Sequence, residues 1–189
     1  MKKPKHFALY AGLAAILGLG LAILFFAVPR WLITPPEEVQ TGAASSADAR
    51  KIRARLFYVT EAGNTLSSSE QEVTYGEGTV EQAKRIIEAQ LSAPPAAHVS
   101  AIPTGTQLRT VFLSGGDAYI DLSAEVQKNH PGGTTNEILT VYTLVNALTS
   151  NLPAINGVQI LVEGKEVETL AGHLDLRRPI EHDPHLIVD

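Results

Sequence analysis

The chain contains no cysteine, one methionine, one tryptophan and no acidic residue before Glu37. The absence of cysteine excludes disulfide bonds and a lipid-modified cysteine as a membrane anchor. The chain also lacks a G-x-S-x-G motif, so it offers no nucleophile elbow. Its Gly132-Gly133-Thr134-Thr135 stretch lacks the lysine of a P-loop. These absences give no support to a serine hydrolase or a P-loop nucleotide-binding protein.

An uncharged run of 22 residues, Phe7–Val28, lies near the N-terminus. At about 1.5 Å per residue, a helix of this length spans a hydrocarbon core of about 30 Å. Three lysines precede the run and one arginine follows it closely, and this bias favours a cytoplasmic N-terminus. We therefore predict a basic cytoplasmic segment at 1–6, one transmembrane helix at 7–28, and a body outside the cytoplasmic membrane, on its periplasmic or cell-wall side.

A cleavable signal peptide is the alternative interpretation of the same run. Such a peptide usually has an apolar region of about 7 to 15 residues followed by an A-x-A-like cleavage site. The sequence from Phe25 to Arg30 contains no such site. An uncleaved anchor is therefore the preferred interpretation.

Composition divides the rest of the chain into a linker, a domain and a tail. Residues 29–52 are predicted to be a flexible linker, because two prolines stop any helix and Thr34–Ala49 has almost no large apolar side chain. Residues 53–181 have the size of one folded domain, and 182–189 are predicted to be a C-terminal tail. Residues 31–189 carry 11 basic and 20 acidic residues, which makes nucleic acid a poor partner.

Strand and helix patterns alternate along the domain. Helices that bury one stripe and strands that alternate predict an α/β (α+β) fold, a two-layer sandwich with two helices on one face of a mixed sheet. Both predicted helices begin with capping-box spacing, Thr79 to Gln82 and Thr134 to Glu137, and the first has a Glu81–Arg85 pair. The first helix is predicted to bury Val80, Ala83, Ile87 and Leu91 on one face, and the second to run to about Ser150 with Val145 and Leu148 inside. The predicted strands are Arg55–Thr60, Leu66–Tyr75, Leu108–Leu113, Ala118–Leu122, Val158–Val162 and Glu166–Thr169.

Several short motifs occur in series along the domain and together resemble the GerMN domain of the sporulation and germination protein GerM family. The resemblance extends over roughly residues 53–180 and preserves the order of the motifs. The motifs are Ala101-Ile102-Pro103-Thr104-Gly105-Thr106, Ala118-Tyr119-Ile120-Asp121-Leu122-Ser123, Val145-Asn146-Ala147-Leu148-Thr149, Val158-Gln159-Ile160-Leu161-Val162-Glu163-Gly164 and Thr169-Leu170-Ala171-Gly172-His173-Leu174-Asp175.

The resemblance implies a small α/β domain similar to the ring-building motifs of secretion-system proteins. It also implies a membrane-anchored, extracytoplasmic protein whose domain is a non-catalytic interaction module in envelope assembly, with a sporulation or germination role in spore-forming organisms. Its partner would be an envelope or membrane protein, or further copies of itself. The chain differs from GerM in having one such domain instead of two, and a spanning helix in place of a lipidated cysteine.

Asp121, Glu137 and His173 are the polar residues that an alternative function, a cell-wall-directed ligand binder or hydrolase, would use. Each also has a structural explanation. Glu137 is predicted to close the capping box, Asp121 to bind turn amides at a strand end, and His173 to be a hydrogen-bonded structural residue. We therefore predict no catalytic, cofactor-binding or metal-binding residue. A cleft that joins two of these side chains, with a raised carboxylate pKa, would favour the alternative.

The C-terminal sequence His182-Asp183-Pro184-His185 has the composition of a metal site. Pro184 argues against the helix that would place both imidazoles on one face. The segment also follows the last predicted strand. We predict a solvated tail here.

Overall fold

The structure is a computed structural model, and it describes residues 50–188. These residues form a mixed α+β fold of eight strands, three α-helices and one 3-10 helix. The predicted transmembrane helix 7–28 and the predicted linker up to residue 49 lie outside the described residues. In chain order the elements are β1 Lys51–Val59, β2 Leu66–Thr74, α1 Gly78–Leu91, β3 Leu108–Ser114, β4 Asp117–Leu122, α2 Glu125–Lys128, α3 Thr134–Asn151, β5 Gly157–Val162, β6 Lys165–Glu166, β7 Ile180–Glu181, the 3-10 helix Pro184–Leu186 and β8 Ile187–Val188.

The strands form two sheets, so the prediction of a single mixed sheet is wrong. In the first sheet, β1 and β2 are an antiparallel hairpin and β8 lies parallel to the start of β2. In the second sheet, β3 and β4 are antiparallel, β4 and β5 are parallel, and the short strands β6 and β7 both pair with β5. Helix α3 packs against β1 and β5, and α1 packs against β3 and α3.

The outer edge of β1 is closed by side-chain amides, which explains why β1 does not join the second sheet. The Asn151 amide accepts the N–H of Arg55 and donates to its C=O, both at 2.8 Å. The Gln90 amide does the same for Phe57, both at 2.9 Å. Two residues further on, the Val59 N–H donates to the Val99 carbonyl. Because alternate residues of a strand face the same edge, these partners replace a neighbouring strand.

Replacing Gln90 by alanine should destabilise the domain by about 1 to 3 kcal/mol, because it leaves the buried N–H and C=O of Phe57 without partners. Urea unfolding of the variant measures this cost. Gln71→Ala is the matched control, since the Gln71 side chain donates to the nearby Ser69 hydroxyl and to no backbone group among residues 50–188, and it should change stability by less than about 0.5 kcal/mol. Equal effects of the two changes would contradict this account of the β1 edge.

The first helix differs from its predicted face and cap. Ala83 and Ile87 are fully buried as predicted, but Val80 is 43% exposed, so its place on the buried face was wrong. The helix begins at Gly78 and its N-cap residue, Glu77, makes no side-chain cap; instead the Gly76 N–H donates to the side-chain oxygen Oε1 of Gln82 at 2.9 Å. A Cβ on Gly76 would lie 2.5 Å from backbone atoms at the start of the helix. The start of the helix therefore leaves no room for a side chain at Gly76.

Helix α3 is the centre of the core, and its buried face agrees with the prediction. Leu144, Val145 and Leu148 are fully buried, and the helix ends at Asn151, close to the predicted end.

The predicted ion pair between Glu81 and Arg85 on helix α1 is also present, at 2.9 Å on the exposed side of that helix.

The predicted tail 182–189 is wrong for the described part of the segment. Ile187–Val188 form β8 beside Leu66 and Ser67, and Ile187 packs against the core. The Asp183 carboxylate accepts the His185 N–H at the start of the 3-10 helix. Ile187 explains the difference, because its apolar side chain packs against the core, whereas Val188 is exposed. Among residues 50–188 no helix is both long and apolar enough to cross a membrane.

Candidate functional site

Glu137 lies in the first turn of α3 and is wholly buried, with 0% of its surface exposed. The predicted capping box with Thr134 is wrong. The helix starts after Gly133, whose φ of 85° is a conformation that glycine adopts freely, and no side chain caps it. The carboxylate therefore points away from the helix end and into the protein.

The Glu137 carboxylate binds a loop formed by residues 169–173. One oxygen, Oε1, accepts the N–H groups of Leu170 at 2.7 Å and Ala171 at 2.9 Å. The other, Oε2, accepts the N–H of His173 at 2.8 Å and lies 3.2 Å from its ring Nδ1. Three backbone donors from one irregular loop thus meet on a single buried side chain, which fixes the conformation of this 169–173 loop.

The hydrogen bonds determine the charge state of Glu137. Burial by itself would raise the pKa of this carboxyl, but the N–H groups of Ala171, His173 and Leu170 and the His173 ring outweigh burial and hold the pKa below its ordinary value. Glu137 is therefore ionised at neutral pH. A general acid would need the opposite shift.

His130, which the sequence gave no reason to single out, lies close enough to interact with Glu137. Burial lowers the pKa of His130, while the negative charge of Glu137 acts in the opposite direction. The His130 Nδ1 accepts the Gly132 N–H at 3.0 Å, and Nε2 lies 3.3 Å from the Thr140 hydroxyl. These contacts fit a neutral imidazole, since a protonated Nδ1 cannot accept a hydrogen bond.

Acidification should destabilise the domain in two stages. The folded-state pKa values of His130 and Glu137 are both depressed, so each group contributes stability that is complete above its unfolded pKa and is lost as the pH falls. Loss at His130 begins below about 6.5, and loss at Glu137 below about 4.5. The melting temperature, measured between pH 8 and 3, reports both losses of stability. His130→Gln should reduce the fall in melting temperature that begins below about pH 6.5, whereas His185→Gln, at an exposed position, should not. A melting temperature independent of pH would contradict the assignment.

Asp121 lies near the end of β4 and behaves as predicted for a strand-end carboxylate. Its Oδ1 accepts the N–H of Gly164 at 2.7 Å, in the turn between β5 and β6. Its Oδ2 lies 3.2 Å from Nε of Arg109, which also pairs with Glu163. A β-bulge at Arg109 breaks the β3–β4 register and places its guanidinium on the side of Asp121.

The structure brings two of the three candidate residues together. Glu137 and His173 are in contact, but no hydrogen bond or ion pair among the described residues joins either to Asp121. The carboxylates bind backbone amides of two different loops.

Sequence analysis missed Gln90, Asn151 and His130, because their roles depend on groups distant in the chain. The potential metal pattern at His182 and His185 does not converge, and among residues 50–188 no cluster of three or more His, Asp or Glu side chains could hold a metal ion.

Comparison with protein families places these features in context. The family model Germane, described as sporulation and spore germination, matches residues 55–168 of the chain. The match runs from the middle of β1 to just beyond β6, so it includes both Asp121 and Glu137. No curated protein sequence matches the chain significantly.

Solved structures show the same fold at low sequence identity. The first GerMN domain of the sporulation protein GerM from Bacillus subtilis is 18% identical with a TM-score of 0.52, and the match covers 71% of this chain and 98% of that domain. The tandem GerMN domains of the same protein are 17% identical with a TM-score of 0.51. That match covers 71% of this chain but only 46% of the tandem-domain chain. A candidate lipoprotein from Clostridium perfringens is 24% identical with a TM-score of 0.50, covering 69% of this chain and 87% of that one.

Proposed function

The chain belongs to the Germane family of sporulation and spore germination domains, and we propose that it is a membrane-anchored envelope protein. Its folded domain would be a non-catalytic interaction module. The domain would lie outside the cytoplasmic membrane and bind an envelope or membrane protein, or copies of itself. In a spore-forming organism its role would be in sporulation or germination. The likeness to GerMN domains also supports a similarity to the ring-building motifs of secretion systems.

One observation carries the non-catalytic part of the proposal. Glu137 and Asp121, the carboxylates that an enzyme would use, are both occupied in holding loops. Glu137 is buried and ionised, so it is neither accessible to a substrate nor protonated to act as an acid. The contact between Glu137 and His173 does not favour a hydrolase, because the depressed carboxyl pKa is the reverse of what general acid catalysis needs.

The anchor is proposed from the sequence. The uncharged run at 7–28, the preceding lysines and the linker that follows support one spanning helix, an internal N-terminus and an external domain. The Clostridium perfringens relative is described as a lipoprotein, and a lipid anchor would serve the same purpose. This chain has no cysteine to carry a lipid, so the spanning helix takes that place.

Cysteine labelling in intact cells tests the proposed topology. Because the chain has no cysteine, Lys3→Cys and Ser46→Cys each introduce one unique thiol, on the two sides of the proposed helix. With a membrane-impermeant maleimide, Ser46→Cys should react in intact cells and Lys3→Cys only after permeabilisation. The reverse pattern, or a processed protein that lacks residue 3, would contradict the anchor.

A further inference from the structure

We propose that the exposed edge of β3 is a self-association site, where a second copy of the protein adds its own β3 antiparallel to the first. This inference rests on the proposed function and names one surface by which the interaction module works. Its basis is the contrast between β3 and the other strand edges in residues 50–188.

The other long edges are closed or protected. The edge of β1 is satisfied by Asn151, Gln90 and Val99. The edge of β2 is covered by β8 at its start, and further along it carries Glu70 and Glu72, whose charges would oppose each other in a symmetric pairing. Such charges are a common protection of natural edge strands against unwanted pairing.

Helix α1 packs against β3, but within residues 50–188 no second strand pairs with the outer edge of β3, and residues 110–114 carry no charge. Strand β3 ends the second sheet, and β4 is its one partner there. Thr110, Phe112 and Ser114 are exposed. Phe112 is 43% exposed and stacks on Tyr119 of β4, with ring centroids 4.8 Å apart and planes within 3°. An uncharged edge strand with an exposed aromatic ring is a ready template for another strand.

The register of the hairpin determines how a second copy would pair. Ser114 and Asp117 enclose a two-residue turn and Phe112 lies opposite Tyr119, so Val111 and Leu113 direct their backbone groups outward. A two-fold pairing that joins Val111 to Leu113 of the other copy places each Phe112 directly opposite its equivalent. The result is a continuous row of four aromatic rings, two from each copy.

The side chains of β3 favour a second copy as the partner, because the two-fold pairing sets each Phe112 beside the equivalent aromatic ring. The symmetric pairing sets no charged side chain opposite another, because Arg109 lies beyond the five paired residues and is already engaged by Asp121 and Glu163. The bulge at Arg109 and the turn at Gly115-Gly116 limit the pairing to residues 110–114. So short an interface is expected to be weak in solution and to become effective where copies share a membrane and their local concentration is high.

Register-specific disulfide trapping tests the proposal in the full-length protein. In the proposed register Thr110 lies opposite Ser114 of the other copy as a non-hydrogen-bonded pair, with Cα atoms about 4.5 Å apart, within the range that a disulfide spans. Cells should therefore co-express two differently tagged full-length variants, Thr110→Cys and Ser114→Cys, and be treated with a mild oxidant. We expect a mixed-tag dimer at least about five-fold above the dimer from either variant alone.

Phe112→Lys, added to both variants, is the matched disruption. It sets two like charges opposite each other and should remove the mixed dimer, while a melting temperature close to that of the parent shows that the exposed position tolerates the change. Equal crosslinking of the single variants would overturn the register. Absence of the mixed dimer, in cells where the wild-type protein still captures other envelope proteins, would overturn self-pairing and leave the proposed function standing.

Discussion

Glu137→Ala is expected to destabilise the domain by about 3 to 5 kcal/mol, a large part of the roughly 5 to 15 kcal/mol that stabilises a typical domain. The change removes the acceptor for three backbone N–H groups of the 169–173 loop, of which that of Leu170 is buried and those of Ala171 and His173 are partly buried. It also removes the charge that the His173 ring faces. Chemical denaturation, followed by circular dichroism, gives the free energy of unfolding.

Two control variants distinguish the binding of the 169–173 loop by Glu137 from helix capping. Glu137→Gln keeps the size and one acceptor oxygen, but its amide NH₂ would face the His173 donors, so an intermediate loss of about 1 to 3 kcal/mol is expected. Glu166→Ala, at an exposed position, should change stability by less than about 0.5 kcal/mol. A loss below about 1 kcal/mol for Glu137→Ala would match a helix cap instead and contradict the loop-holding role.

Leu148→Asp is expected to unfold the domain. Leu148 is fully buried on α3, and an unpaired charge there costs several kcal/mol in addition to the lost apolar contacts. The full-length variant should show loss of the cooperative thermal transition and rapid proteolysis in cells.

Val80→Asp is the matched control for this substitution. It makes the same type of change on a helix, but Val80 is exposed to solvent, so its melting temperature should stay within a few degrees of the wild type. If Leu148→Asp retained the wild-type melting temperature, α3 could not form the centre of the core.

Local patterns predicted most of the elements and two of the three candidate polar roles, since His173 is hydrogen-bonded to Glu137 as expected of a structural histidine. The two long hairpins and both long helices were expected within a few residues, because apolar periodicity and turn glycines are local signals. Asp121 was expected to bind turn amides, and it binds Gly164 in the turn next to β4 in space. That turn follows β5 and not β4, so the strand-end position predicted the kind of partner but not which turn supplies it.

The failures share one cause, which is competition from groups distant in the chain. Glu137 has the spacing of a cap, yet the 169–173 loop supplies more donors than the helix end does. A single mixed sheet was expected because nothing local reveals that Gln90 and Asn151 close the edge of β1. The residues after 181 were expected to be a tail, since a two-residue strand such as β8 is visible only once β2 offers it an edge.

The interaction module is best tested by crosslinking the full-length protein in its own cells and identifying the captured proteins by mass spectrometry. We expect enrichment of envelope proteins, or of the protein itself, relative to matched cells that do not express the protein. Capture of cell-wall fragments without any protein partner, together with release of products from them, would contradict an interaction module and point to an enzyme.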